Sequence, residues 1–182
     1  MSTLTPAEYY ATVVPTQYSA AMANADPAIL EQPELTASIT IDGEGGGVFG
    51  LRAKGQEFEY VPGGIADADL QAVMLIDDWR VSVEHGATEV LIDYIQRRKV
   101  QVAKSLKGSV TLELDRADGS TLRTSTIFGR VTEPAVTMMM TADDYAAMLR
   151  GELNGQMAFM MGRLKFEGSL PLLMAIGALA GK

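Results

Sequence analysis

A single histidine, His85, and no cysteine occur in the 182 residues. Any Ser-His-Asp triad or imidazole-bound metal would have to use His85, and thiolate nucleophiles, thiolate metal sites and disulfides are excluded. His85 stands beside Gly86 with no G-x-S-x-G context, which reads as an exposed turn histidine. Two acidic pairs, Asp77-Asp78 and Asp143-Asp144, bring carboxylates together in sequence. Adjacent side chains point apart, so neither pair makes an acid–base couple. Their position ahead of helices reads as capping, worth about 0.5–2 kcal/mol each. Asp115 and Asp118 flank a hairpin turn without the ligand ladder of a calcium loop. Glu44-Gly45-Gly46-Gly47 precedes no G-K-[ST] and opens no helix, so it reads as a flexible turn. These residues form no catalytic constellation, and no enzyme activity, cofactor or metal is expected.

The balance of charge narrows the partners. A net charge of −8 leaves no Lys/Arg excess to displace phosphate counterions, which argues against nucleic acid and against docking on an anionic membrane by charge. Apolar residues at 47% against 21% charged mark a globular chain long enough to bury a core. MSTLTPAEYYATVV lacks a basic start and an apolar run, so no signal peptide is expected, and Leu170–Ala180 is too short to span a bilayer. The expectation is a soluble, cytoplasmic protein without stable membrane insertion.

The elements that would position any site follow from punctuation and period. Thr5-Pro6-Ala7-Glu8 is a capping box with proline at the first helical position, and Pro15 should break or kink the helix it opens. Leu35–Asp42 alternates as a strand and returns through the glycine turn as Val48–Ala53. Glu57–Val61 and Leu70–Ile76 read as further strands. From Thr88 to Leu106 apolar residues recur at helical spacing, predicting one amphipathic helix. Val110–Leu114 and Leu122–Phe128 form a hairpin around Asp118-Gly119.

The chain is organised around Val136–Gly168, read as strand, short helix, glycine, second short helix and strand. Most of the eleven methionines lie here, where strands contribute Met138, Met140 and Phe166 and helices contribute Met148, Met157, Phe159 and Met160. Leu170, Leu173 and Met174 of the closing helix extend the same wall. Flexible, polarizable thioethers adapt to shapes that a branched aliphatic wall rejects. Such a wall is either an ordinary core filled with methionine or a cavity for an apolar guest. Arg150, Arg163 and Lys165 are the cations nearest it for an acidic head group.

Within this stretch Gly151, Ala158-Phe159, Gly162, Leu164-Lys165 and Gly168 follow an acidic helix start and precede an apolar tail. This pattern resembles the C-terminal signature of the sterol-carrier-protein type-two family. The resemblance implies an α+β domain whose antiparallel-rich sheet is covered by helices, with a tunnel for fatty acids, acyl-CoA, sterols or similar lipids. The ten residues named above are then the expected ligand-binding wall. A lipid or other apolar small molecule is the expected partner, and a homodimer or a partner enzyme of lipid metabolism stays open. A reading of another class is an accessory or scaffolding protein whose apolar groove receives a partner's helix.

The halves also resemble each other. Ser38–Asp42 (SITID) matches Ser109–Glu113 (SVTLE), and AVMLIDDW at 72–79 matches MMTADDY at 139–145. The expected division is an N-terminal helix at 1–14, a degenerate sterol-carrier-like unit at 15–87 and a lipid-binding unit at 88–182. One elaborated domain with a long N-terminal extension is the alternative.

Overall fold

A computed structural model describes residues 4–84 and 89–180. Eight strands make one sheet: β1 Leu35–Asp42, β2 Gly47–Lys54, β3 Glu57–Pro62, β4 Leu70–Leu75, β5 Gly108–Asp115, β6 Thr121–Phe128, β7 Ala135–Thr141 and β8 Lys165–Gly168. Their order is β3-β2-β1-β4-β6-β5-β7-β8. Most neighbours are antiparallel; β1 with β4 and β5 with β7 are parallel. The fold is the expected α+β arrangement, an antiparallel-rich sheet covered by helices on one face.

The internal repeat is visible in this order. In each half a hairpin (β1-β2, β5-β6) is followed by a strand parallel to its first member (β4, β7), and β4 meets β6 where the halves join. Register corrects the sequence match, because Asp42 lies opposite Leu75 and Asp115 opposite Thr141, each pair just before a helix. Asp42 therefore corresponds to Asp115, a shift of two residues from the SITID/SVTLE match. An even shift keeps every side chain on its own face, so the periodicity could not detect it.

Side chains alternate accordingly. Leu35, Ala37, Ile39 and Ile41 face the helices with Leu51, Leu70, Phe128, Val110 and Val136, and all are buried. The opposite face carries hydroxyls, with Thr111 and Ser125 bonded across β5 and β6 at 2.9 Å.

Helices cover the first face. The N-terminal run is α1 Pro6–Glu8, a π turn Tyr9–Val13 and α2 Val14–Met22. The capping box at Thr5 and Glu8 forms as expected. Pro15 does not break the helix. The turn before it widens, Val14 N donating to Tyr9 O, and Pro15 falls in the first turn of α2, where its missing N–H costs least. Thr16 Oγ1 donates to Thr12 O at 2.8 Å, satisfying a carbonyl in this region. The widened turn lets the successive Tyr9 and Tyr10 both face inward, and both are buried. After α3 Pro27–Leu30 comes α4 Ile76–Glu84.

The single helix expected over Thr88–Leu106 is two, α5 Val90–Gln96 and α6 Val100–Ser105; Thr88 lies outside the described residues. Arg98 adopts φ 58° at the break. The distant Gln32 supports it: its Nε2 donates to Ile95 O at 2.7 Å and its Oε1 accepts from Val100 N at 3.4 Å. A side chain sixty residues away carries no periodic signal, so the interruption was invisible in sequence.

The last helices are α7 Ala142–Leu149, α8 Gly155–Met160 and α9 Leu170–Ala180. α7 and α8 end alike. Gly151 (φ 74°) and Gly162 (φ 71°) take the left-handed position, and Glu152 N and Arg163 N donate back to Ala147 O and Ala158 O. This closure at Gly162 delivers Arg163 to Asp144.

The acidic pairs are not caps. Thr141 caps α7 through its hydroxyl, leaving the buried Asp144 carboxylate to bond Arg163. Asp78, also buried, accepts from Arg123 N at 3.2 Å and from Arg116 at 3.4 Å, tying α4 to the β5-β6 hairpin. Burial favours partners elsewhere over a local cap.

Candidate apolar binding cavity

Between the sheet and the helices lies a cavity of about 350 Å³. Its floor comes from both halves: Ile39, Ala72 and Met74 from β1 and β4, and Val110, Leu112, Leu122 and Met138 from β5, β6 and β7. Alternation aims these residues at one face, and where β4 meets β6 the floor is small, Ala72 lying opposite Thr126. Short side chains at this junction leave room that a Leu or Phe would fill. The roof is Tyr9, Tyr10, Trp79, Leu91, Tyr94, Tyr145, Ile176 and Leu179.

Of the expected ligand wall, the structure places Met138 and Met148 in this lining. Met140 is buried outside it, in a satellite core with Leu114, Leu153, Ala158 and Leu164. Phe166 and Leu173 pack half-buried against the main core. Met157, Phe159 and Met160 of α8 and Leu170 and Met174 of α9 are exposed, Met160 at 77% and Met174 at 71%. Ala158 is the one buried residue of α8, so the larger neighbours lie on its outer faces. Phe159 keeps an aromatic contact with Phe166, centroids 5.6 Å apart. A helix apolar on every side gives no periodicity from which to choose its inner face.

The cations expected near the wall are engaged elsewhere. Arg150 bonds Glu152 through two nitrogens at 2.9 and 2.8 Å, and Arg163 bonds Asp144. Lys165 pairs with Met139 on the opposite face of the sheet. His85 lies outside the described residues. Among the described residues no cluster of His, Cys, Asp or Glu could hold a metal.

Sequence reasoning missed a polar end to the lining, where Tyr9, Tyr10, Trp79, Ser82 and Glu89 meet. Tyr9 stands edge-on to Tyr10 and to Trp79, centroids 5.2 and 5.6 Å apart. Trp79 is buried, and its Nε1 has no hydrogen-bond partner. Glu89, the residue before α5, keeps part of its surface near solvent, but burial raises its carboxyl to about 7. The adjacent Tyr10 hydroxyl offsets only part of that shift. Burial likewise raises the hydroxyls of Tyr9, to about 12, and of Tyr10. The Asp93–Arg97 pair, 2.7 Å apart and partly exposed, marks where the lining reaches solvent. The available signal was a lone tryptophan after an acidic pair together with two adjacent tyrosines.

Residues 96–181 match the family model described as the SCP-2 sterol transfer family. The match falls on the stretch that carries the glycine and Ala-Phe pattern of the sequence. The SCP-2 match includes β5 to β8 and α6 to α9, and it leaves out Tyr9, Tyr10, Trp79 and Glu89. Among solved structures, sterol carrier protein 2 from Yarrowia lipolytica in its apo form is 18% identical over 44% of this chain and 76% of its own, with a TM-score of 0.34. Sterol carrier protein 2 like 2 from Aedes aegypti is 19% identical over 55% of this chain and 97% of its own, at 0.38. A protein titled UbiJ-SCP2 ubiquinone synthesis protein is 18% identical over 56% and 96%, also at 0.38. No curated protein matches the chain.

Proposed function

We propose that this chain binds and carries a long apolar ligand, a lipid, in the cavity between sheet and helices, without catalysing its conversion. The observation that carries this reading is the 350 Å³ chamber whose walls are largely aliphatic and aromatic. It lies within the range of about 300–1,000 Å³ typical of small-molecule sites. Each buried methylene contributes about 0.8 kcal/mol, so a chain of about a dozen carbons reaches micromolar binding after association costs. The match of residues 96–181 to the SCP-2 sterol transfer family model supports the same reading. Met74, Met138 and Met148 are the proposed methionine contacts, joined by Ile39, Ala72, Leu112 and Leu122. The units expected at 15–87 and 88–182 then work as two walls of one chamber. Titration with a fluorescent long-chain lipid tests this: saturable binding at one site per chain supports it, and no binding contradicts it.

A second reading rests on the exposed Met157, Met160, Met161 and Met174. It makes α8 and α9 the seat of a partner protein's apolar helix, as in an accessory or scaffolding protein. Serine at Met157 and Met160 separates the readings, since it would weaken partner capture and leave lipid in the cavity.

A further inference from the structure

The lipid-cavity reading leaves open which lipids enter, and the polar end of the chamber addresses that. Trp79 lines the cavity with its Nε1 buried and unpaired. An indole N–H in that state has lost its hydration with nothing in return until something accepts from it. The Tyr10 hydroxyl lies beside both Trp79 and Glu89, and the indole N–H meets hydrogen-bond geometry with no acceptor. One vacant donor and one carboxyl therefore share a corner of an otherwise apolar chamber.

The charges around that corner are unequal. Among the described residues, two carboxylates, Glu89 and Asp93, line the cavity against one guanidinium, and Arg97 is already bound to Asp93. The π turn adds the neutral hydroxyls of Tyr9 and Tyr10, and α4 adds Ser82. A ligand anion placed here would meet Glu89 in a low dielectric, and among the described residues the one cation in the lining, Arg97, is already engaged by Asp93. A hydroxyl suits the corner, since its oxygen accepts from Trp79 and its hydrogen is donated to Glu89.

We infer that Trp79 and Glu89 are specificity-determining residues, selecting lipids whose polar end is an uncharged hydroxyl and rejecting ionised fatty acids. The selecting residues lie outside the SCP-2 match, so this discrimination is supplied by the N-terminal part of the chain. At lower pH Glu89, held near 7 by burial, takes up a proton and the rejection of a carboxylate weakens.

The test loads the full chain from cyclodextrin with equal amounts of 1-hexadecanol and hexadecanoate, and reads occupancy by native mass spectrometry. At pH 8 the alcohol adduct should exceed the acid adduct by about tenfold or more. At pH 6 the ratio should narrow. Glu89→Gln should bring it within about twofold at pH 8, because no charge then opposes the carboxylate. Trp79→Phe should cut alcohol occupancy without raising acid occupancy. Equal loading of both lipids by the wild type, or a ratio unchanged in Glu89→Gln, would overturn the inference alone. Loading of neither would overturn the lipid-cavity reading and the inference with it.

Discussion

Asp78 and Asp144 stand at equivalent points of the two halves, two residues into the helices that follow β4 and β7, and each is buried and held by an arginine from another element. The partner differs, Arg116 from beyond β5 in one half and Arg163 from beyond α8 in the other. A local sequence pair thus serves a long-range purpose, tying α4 to the β5-β6 hairpin and α7 to the segment after α8.

The two aspartates should not cost the same to remove. Asp78 and Arg116 keep only 10% and 18% side-chain exposure, and Asp78 also satisfies Arg123 N. Asp78→Ala should cost about 1–3 kcal/mol, because donors are left unpaired out of water. Asp144→Ala should cost less, since Arg163 is 43% exposed and solvent screens the pair. Urea midpoints of the two variants at neutral pH check the order.

Arg163 beside Asp144 holds that carboxyl below its ordinary value. A depressed folded-state value contributes stability that is present above the unfolded value near 3.8 and lost as pH falls through the folded one. Asp144→Asn should therefore narrow its deficit to wild type as pH drops below that point. Thermal melts of both proteins from pH 5 downward read the convergence.

Glu89 behaves in the opposite sense. Its folded-state value is raised to about 7 from 4.5, so its contribution is fully present below the unfolded value and lost as pH rises through the folded one. Relative to Glu89→Gln, the wild type should lose about 1.4 kcal/mol per pH unit at most between those limits and then level off. Denaturation of both at pH 5 and pH 8 measures the change; a constant difference would show that the carboxyl is not buried at the polar end.

The methionines divide by place in the fold. Brief peroxide treatment followed by peptide mass spectrometry should oxidise Met160 and Met174 first, and leave Met22 and Met140, which are 1% and 5% exposed, until the protein unfolds. Met148, half-buried in the lining, should oxidise more slowly once an apolar ligand fills the chamber.

Much of this architecture was legible because it is local. The Thr5–Glu8 box, the alternation of Leu35–Asp42 and the glycines after α7 and α8 each act within a few residues. The site was less so. Its polar end joins a π turn, α4 and the start of α5, and no spacing rule links Tyr10, Trp79 and Glu89. Methionine density drew attention to α8, where packing on Ala158 turns Met157 and Met160 outward. Gln32, which supports the break at Arg98, and Asp78, which reaches a neighbouring hairpin, act over distances that periodicity does not register.

Ala72 gives a direct handle on the chamber, since it lies on the floor where the two halves meet. Ala72→Leu should occupy part of the space, lower lipid occupancy about tenfold or more, and leave the melting temperature unchanged or higher.

The most direct test of lipid carriage is native mass spectrometry of the wild-type chain purified without detergent, with extraction of whatever dissociates. The account predicts a discrete apolar adduct, one per chain, whose occupancy falls about tenfold or more in Ala72→Leu prepared in the same way. Bare protein at its own mass, unchanged after incubation with long-chain alcohols, sterols and fatty acids, would contradict it.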